Sequence, residues 1–356
     1  KNRAIQNIDI IKCRVSNFLG RTGHETIQFQ FCVITHSACQ SIFFSQQVSS
    51  SIIHRIIIPE NSPQPFSFSG EELMDIQELF NSSVEIPSLP DVYYEFKDAM
   101  DDPEGSFDEV SNIIATDPGL TAKLLRIVNS AYFGFPSKIE TISHAIGVVG
   151  LEQLNNLVIS TVIMERFKGI PDSVMNMDSF WRHSIACGLA AKIISSHREE
   201  INTERFFVAG MLHDIGRLII ALTTPFNILS VFMRCKSENI PRHEAEKDIL
   251  EFTHADVGKL LLKNWSLPVF HQEVVGNHHQ PGKNPTFVNE ASIIHVADHI
   301  VNSLELGDSG ESSFLSPMNK AAWDKLELPD GITVEKLSKE IQKNFNAAAQ
   351  VFLQAA

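Results

Sequence analysis

From residue 70 onward, apolar side chains recur at intervals of three and four residues, with short polar or proline-bearing interruptions, the pattern of successive amphipathic helices. SGEELMDIQELFNS opens with Ser69 as a cap candidate and acidic residues in its first turn, and VEIPSLP then breaks the pattern before DVYYEFKDAMDD. SFDEVSNIIAT sets Ser106 three residues before Glu109, the spacing of a capping box. DPGLTAKLLRIVNSAYFG offers Asp117 as cap, Pro118 at the first helical position, a core stripe of Leu120, Leu124, Leu125 and Val128, and a stop at Asn129–Ser130. TISHAIGVVGLEQLNNLVISTVIMERF reads as two helices divided near Gly150, and GIPDSV marks a boundary near residue 170. Helical segments continue to VEKLSKEIQKNFNAAAQVFLQ at the C-terminal end, and NTERFFVAGMLHDIGRLIIALTT among them reads as one long apolar helix. The expected fold class is all-α.

Residues 1–70 differ. They are rich in Ser, Gln, Ile and Cys and carry six Lys or Arg against three acidic residues, +3, which leaves −17 for residues 71–356. Polar and β-branched residues alternate over short spans without clear turn residues, and IIHRIIIP is a candidate strand. Three readings stand: an accessory region, a leader, or an extension added upstream of the natural protein.

The chain has 356 residues, 43% of them hydrophobic, enough for substantial cores, and a net charge of −14. That charge, with no basic patch in the body of the chain, argues against nucleic acid and against an anionic membrane surface as partners. No apolar run approaches a membrane span and no signal pattern opens the chain, so the expected location is the cytoplasm. The five cysteines, Cys13, Cys32, Cys39, Cys187 and Cys235, have no metal-binding or disulfide spacing; Cys187, in IACGLAAKII, reads as a small buried apolar residue.

The chemistry concentrates in histidine and aspartate. His213–Asp214 sits within the apolar run AGMLHDIGRLII, where an ionised carboxylate needs a strong local partner. Over half of the fourteen histidines fall between residues 183 and 299, including His183, His254, His278 and His279, with Asp298 in the same region. Imidazoles with carboxylates suit iron, manganese or zinc, and an aspartate can bridge two ions, so the candidate centre is mono- or dinuclear. His243, His271, His295 and His299 read as ordinary core or surface residues.

The order His183, His213–Asp214, His254, His278–His279, Asp298 resembles the HD superfamily of metal-dependent phosphohydrolases, especially its HD-GYP branch, which hydrolyses cyclic di-nucleotides. Upstream, IPSLPDVYYEFKDAM, SFDEVSNIIATDPGLTAKLLRIVNSAYFG and ISHAIGVVGLEQLNNLVIS resemble the front half of the HDOD family, the HD-related output domain of bacterial signalling proteins. WRHS, AGMLHDIGRL, HADVGKLLLKNWSLP and NHHQP follow in that family's order, so the resemblance spans residues 82–300. It implies a helical subdomain over 71–170 packed on an HD-like helical core over 171–300, with 301–356 completing the domain, and a regulatory role.

Departures from the HD-GYP pattern bear on activity. Arg217 stands where a lysine is expected, HHQPGKNPTF replaces the GYP signature, and Ser179 takes the place of an acidic ligand. The resemblance implies His183, His213, Asp214, His254, His278, His279 and Asp298 as metal ligands, with Asp214 and Arg217 as catalytic groups if the site is active. The favoured function is a signalling module that binds a partner protein or a nucleotide or phosphate ligand; the alternative is a metal-dependent phosphohydrolase. Without metal, Asp214 is expected to hydrogen-bond to His183 or His279. Arg126 and Asn129 remain open as a partner surface.

Overall fold

The structure is a computed structural model that describes residues 10–19, 25–35 and 38–47 and, from residue 75, all but 82–83, 85, 131, 168–169, 171–174, 311–317 and 356. The chain divides into two compact units, residues 1–70 and 71–356.

The first unit holds a three-stranded antiparallel sheet, with β1 (Ile10–Leu19), β2 (Glu25–Thr35) and β3 (Ala38–Gln47) in sequential order. β2 lies in the centre, pairing Phe18 with Thr26 on one side and Phe31 with Ile42 on the other. Ile27, Phe29, Phe31 and Val33 recur with the period of two that favours strand. The all-α expectation therefore applies to the second unit, with this sheet added in the first. The candidate strand IIHRIIIP lies outside the described residues.

The second unit is helical throughout its described residues. Its helices are α1 (Ile76–Phe80), α2 (Asp91–Asp101), α3 (Phe107–Ala115), α4 (Pro118–Val128), α5 (Ile142–Val149) and α6 (Leu151–Arg166). There follow α7 (Met177–His197), α8 (Glu204–Leu212), α9 (Ile215–Thr223), α10 (Pro225–Glu238), α11 (Arg242–Leu250), α12 (His254–Asn264) and α13 (Val269–Asn277). α14 (Val288–Ser303), α15 (Lys320–Lys325) and α16 (Val334–Ala355) complete it. Ser69 is outside the described residues; the first described helix is capped by Asp75. Ser106 Oγ accepts from the Glu109 N–H and Asp117 from the Leu120 N–H, so the α3 and α4 starts follow their cap residues. Thr253 and Asp256 form a reciprocal capping box at α12.

One buried core runs from Leu79 to Phe352, across the expected boundaries near 170 and 300. α16 packs on both α7 and α4, and Trp265 Nε1 donates to Pro87 O at 3.0 Å, so the two halves are joined at several points. The DPGLTAKLLRIVNSAYFG segment serves this packing. Asn129 holds both backbone groups of Ile139 at 2.7 Å, and Arg126 donates to Gln354 O at 2.6 Å, contacts that tie loop and C-terminal helix to α4. The apolar stretch Glu204–Thr223 has the length and composition of a membrane span, yet 89% of its most apolar window is buried inside the unit.

Three glycines set the helix spacing around the eventual site. A Cβ on Gly210 would lie 2.6 Å from Cys187 O and one on Gly188 2.6 Å from Phe207 O, so α7 and α8 touch backbone to backbone. Gly216 does the same between α9 and α12, where a Cβ would meet His254 O at 2.0 Å.

His271, on α13, is buried beside Arg205 and away from that site. Burial, with the Arg205 cation adding to it, pushes its pKa from 6.5 down to about 4. Because the folded value is below the unfolded one, protonation favours the unfolded chain. Stability from this group is present above pH 6.5 and lost as pH falls toward 4, by about 3 kcal/mol in total. Denaturant unfolding at pH 7 and pH 5 should show a smaller difference in His271→Leu than in the wild type; equal differences would remove His271 as a source of acid sensitivity.

Candidate metal centre

The run expected to be one helix is broken at its polar pair. α8 ends at Leu212 and α9 begins at Ile215, with Asp214 at φ −99° and ψ 7° and the Arg217 N–H returning to Asp214 O at 2.9 Å. Apolar periodicity continues straight across AGMLHDIGRLII and hides this break. The turn lets His213 Nδ1 donate to Gly210 O at 2.7 Å, which turns Nε2 toward Asp214 and Asp298. His278 is oriented in the same way, its Nδ1 donating to Val275 O at 2.6 Å.

The seven expected ligands come together in one buried region. His183 arrives from α7, His213–Asp214 from the α8–α9 turn, His254 from the start of α12, His278–His279 from the end of α13 and Asp298 from α14. His183, His213, Asp214, His254 and His278 have no exposure, and Asp298 has 6%. The atoms fall into two groups about Asp214. On one side His183 Nε2 and His213 Nε2 stand 3.1 and 3.4 Å from Asp298 Oδ1, and 3.7 and 3.2 Å from Asp214 Oδ2. On the other, Asp214 Oδ1 is 3.0 Å from Arg217 Nε, 3.1 Å from His254 Nε2 and 3.9 Å from His278 Nε2. His279 Nε2 lies 2.8 Å from His254 Nε2.

The first group, with Cys187, suits a metal ion: donor atoms of His183, Cys187, His213 and Asp298 all lie within 4.8 Å of one another, as do those of His254, His278 and His279 on the other side and those of His213, Asp214 and His278 between them. Nitrogen and oxygen ligands held about 2.1 Å from one ion stand roughly 3.0 to 3.5 Å from each other, and the spacings of the first group cluster around that range. Both Asp214 oxygens and His213 Nε2 are buried without a geometrically aligned hydrogen bond among the described residues. Such convergent, unsatisfied donors are costly unless something cationic binds them. Asp214 therefore does not form the expected hydrogen bond to His183 or His279; its near polar neighbours are Arg217, His254 and His213.

Charge is distributed accordingly. Burial would raise the Asp214 pKa, but Arg217, His213 and His254 override it and hold the carboxyl well below the usual range. Burial likewise opposes ionisation of Asp298, and His183 and His213 reverse it. Burial disfavours a charged His213, yet Asp214 and Asp298 lift its pKa well above 6.5. Burial and the neighbouring imidazoles push His278 and His279 well down, so both are neutral donors. His243 stacks on His279 with ring centroids 4.1 Å apart, and His295 Nδ1 donates to His278 O at 3.0 Å, both supporting roles.

Three contributors escaped the sequence reading. Cys187 Sγ lies 3.5 Å from His183 Nε2 and 3.7 Å from Asp298 Oδ1, within reach of the same centre. Its signal was the i, i+4 spacing from His183, which puts both on one helix face. Glu246, 1% exposed, accepts from His254 Nδ1 at 2.5 Å and fixes that ring. Ser309 accepts from Arg217 Nη1 through its carbonyl at 2.8 Å and its hydroxyl at 2.9 Å; neither it nor Glu246 carries a motif. A thiol among imidazoles favours zinc or iron over manganese or magnesium. Cys187→Ser should therefore weaken zinc binding about tenfold or more while changing manganese binding little, as read by competition with a chromophoric chelator. Equal losses for both metals would exclude sulfur ligation.

A helical unit with buried imidazoles and carboxylates from five separate segments is an HD-type domain. Residues 86–281 match the HDOD domain family, more than half of the chain, and the chain belongs to that family. An HDOD domain protein of unknown function from Geobacter sulfurreducens is similar in structure, with TM-score 0.64 and 24% identity, covering 79% of this chain and 97% of that one. A candidate phosphohydrolase from Shewanella amazonensis SB2B gives TM-score 0.60 at 20% identity, with 79% and 97% covered. At these identities the likeness shows the fold. An uncharacterized protein of Treponema pallidum (strain Nichols) is 26% identical over 185 residues, 52% of this chain and 36% of that protein, so the match spans about a third of the relative's length.

Proposed function

We propose that this chain is a regulatory HDOD module of a signalling system, in which His183, Cys187, His213 and Asp298, with Asp214 beside them, hold one divalent metal ion, zinc or iron, as a fixed part of the fold. The helical body binds a partner protein or a phosphate-bearing ligand, in the cytoplasm, and the acidic unit takes no nucleic acid. The observation that carries this reading is closure: the donor atoms are buried, and structural metal sites are closed whereas catalytic ones keep an open position. A bound ion would supply a cross-link between α7, the α8–α9 turn and α14. Arg217, the residue suited to steadying a transferred phosphoryl group, is fully buried and engaged by Asp214 and Ser309.

A metal-dependent phosphohydrolase is the second reading, favoured by the way Asp214 turns its two oxygens toward two donor groups, as a bridging ligand would. The test is metal analysis of protein purified without chelator, followed by assays on cyclic di-nucleotides and on bis(p-nitrophenyl) phosphate. Bound metal without turnover is the expected result. Turnover that disappears in Asp214→Ala would replace the regulatory reading with the enzymatic one, and an empty centre would remove the metal from both.

A further inference from the structure

We propose that Arg217 is a built-in cation occupying the place of a second metal ion, so that the centre takes one ion and not two. This rests on the metal-centre reading above and specifies its stoichiometry.

The two oxygens of Asp214 face different partners. Oδ2 lies with His183 and His213, whereas Oδ1 is 3.0 Å from Arg217 Nε. The guanidinium continues from there to His254, with Nη2 3.3 Å from His254 Nε2. It thus lies beside Asp214 Oδ1 and against the nitrogen of His254, one of the three imidazoles, with His278 and His279, that come close enough together to hold an ion on this side. A permanent positive charge there repels a divalent ion, and guanidinium does not deprotonate to make room.

The guanidinium is also held from behind. Nη1 donates to both the carbonyl and the hydroxyl of Ser309, and Ser309 is 3% exposed. The loop carrying Ser309 is fastened to α7 next door, where the Asp308 N–H donates to Ser179 Oγ at 2.9 Å and to Ser179 O at 3.2 Å. Gly307, at φ +85°, closes that junction, since a Cβ would stand 2.4 Å from the His183 nitrogen. Ser179 and Arg217, far apart in sequence, are therefore joined by one short loop: the first anchors it and the second is anchored by it. Retreat of Arg217 to admit an ion would break the Ser309 contacts inside a buried site, where each lost partner leaves an unsatisfied group.

The test is titration of metal-stripped full-length chain with Mn(II), read by bound metal and by electron paramagnetic resonance. Wild type should bind about one equivalent and give the six-line signal of an isolated ion, and Arg217→Gln about two equivalents with the broadened signal of a coupled pair. His279→Ala, which thins the second group of imidazoles at its more exposed end, should leave the wild-type equivalent in place. Two equivalents in wild type, or loss of an equivalent in H279A, would overturn the proposal even if R217Q fails to fold. One equivalent in both wild type and R217Q overturns it while leaving the metal-centre reading intact. No manganese in wild type, with no zinc or iron in the purified protein, ends the reading itself and this inference with it.

Discussion

Asp214→Ala is expected to abolish metal binding and, separately, to destabilise the metal-free protein by about 3 to 5 kcal/mol. The first effect follows from the geometry, since Asp214 Oδ2 stands beside two of the other donors and is the carboxylate without an aligned hydrogen bond. An ion present at a thousand times its dissociation constant adds about 4 kcal/mol to stability, so chelation should lower the wild-type melting temperature and leave that of D214A unchanged. The second effect follows from Arg217. If only Asp214 were buried, its removal would relieve a desolvated charge and cost little. With Arg217 also unexposed and 3.0 Å away, truncation leaves a buried guanidinium whose anionic partner has gone. Denaturant unfolding of chelated protein measures this contribution alone, and D214A/R217M should recover most of the loss. Equal stability of chelated wild type and chelated D214A would show that the Asp214–Arg217 pair contributes nothing to the fold.

The sequence carried the identity of the donors further than their arrangement. His183, His213, Asp214, His254, His278, His279 and Asp298 stand out as a collection whose order resembles the HD pattern, not by residue type alone, which His243, His271, His295 and His299 share. Their division into two groups does not, because it depends on the turn at His213–Asp214, and nothing in an unbroken apolar run announces a turn. Helix starts were legible where a cap residue defines them, as at Ser106 and Asp117, since capping is a local hydrogen bond between near neighbours. Cys187 was read as packing for a related reason: a lone cysteine in an apolar helix is usually packing, and only the tertiary approach of α14 brings Asp298 to its sulfur.

Arg217 shows where substitution logic stops short. Compared with lysine it keeps the charge and changes the shape, and from sequence that reads as an altered catalytic group. In the fold its planar fork lets one side chain meet Asp214 through Nε, His254 through Nη2 and Ser309 through Nη1, contacts a single ammonium could not make at once. The serine partner comes 92 residues later in the chain, beyond any spacing rule. The sheet of residues 10–47 is hidden for a different reason. Its central strand carries a period of two in ETIQFQFCVIT, but without recognisable turn residues on either side that alternation does not specify a pairing.

Gly216→Ala should destabilise the protein by about 3 kcal/mol or more, against the direction that helix propensity alone dictates. Gly216 lies inside α9, where alanine is intrinsically better by about 1 kcal/mol. Its Cβ, however, would stand 2.0 Å from His254 O and 2.6 Å from Gly258 N, both backbone atoms that cannot rotate aside. α9 and α12 would have to separate, and since His254 begins α12 and Asp214 caps α9, the separation would pull His254 away from Asp214. Two controls divide the contributions. Gly258→Ala meets its nearest neighbour, the Val275 Cγ1 methyl, at 3.0 Å, and a methyl can yield, so its cost should be about 1 kcal/mol. Gly147, exposed on α5 with nothing within 4 Å of a Cβ, should gain about 0.5 to 1 kcal/mol on becoming alanine. Urea midpoints in the order G147A, wild type, G258A, G216A are expected. A G216A protein as stable as wild type would mean that α9 and α12 do not touch at this point, and the placement of His254 beside Asp214 would fall with that contact.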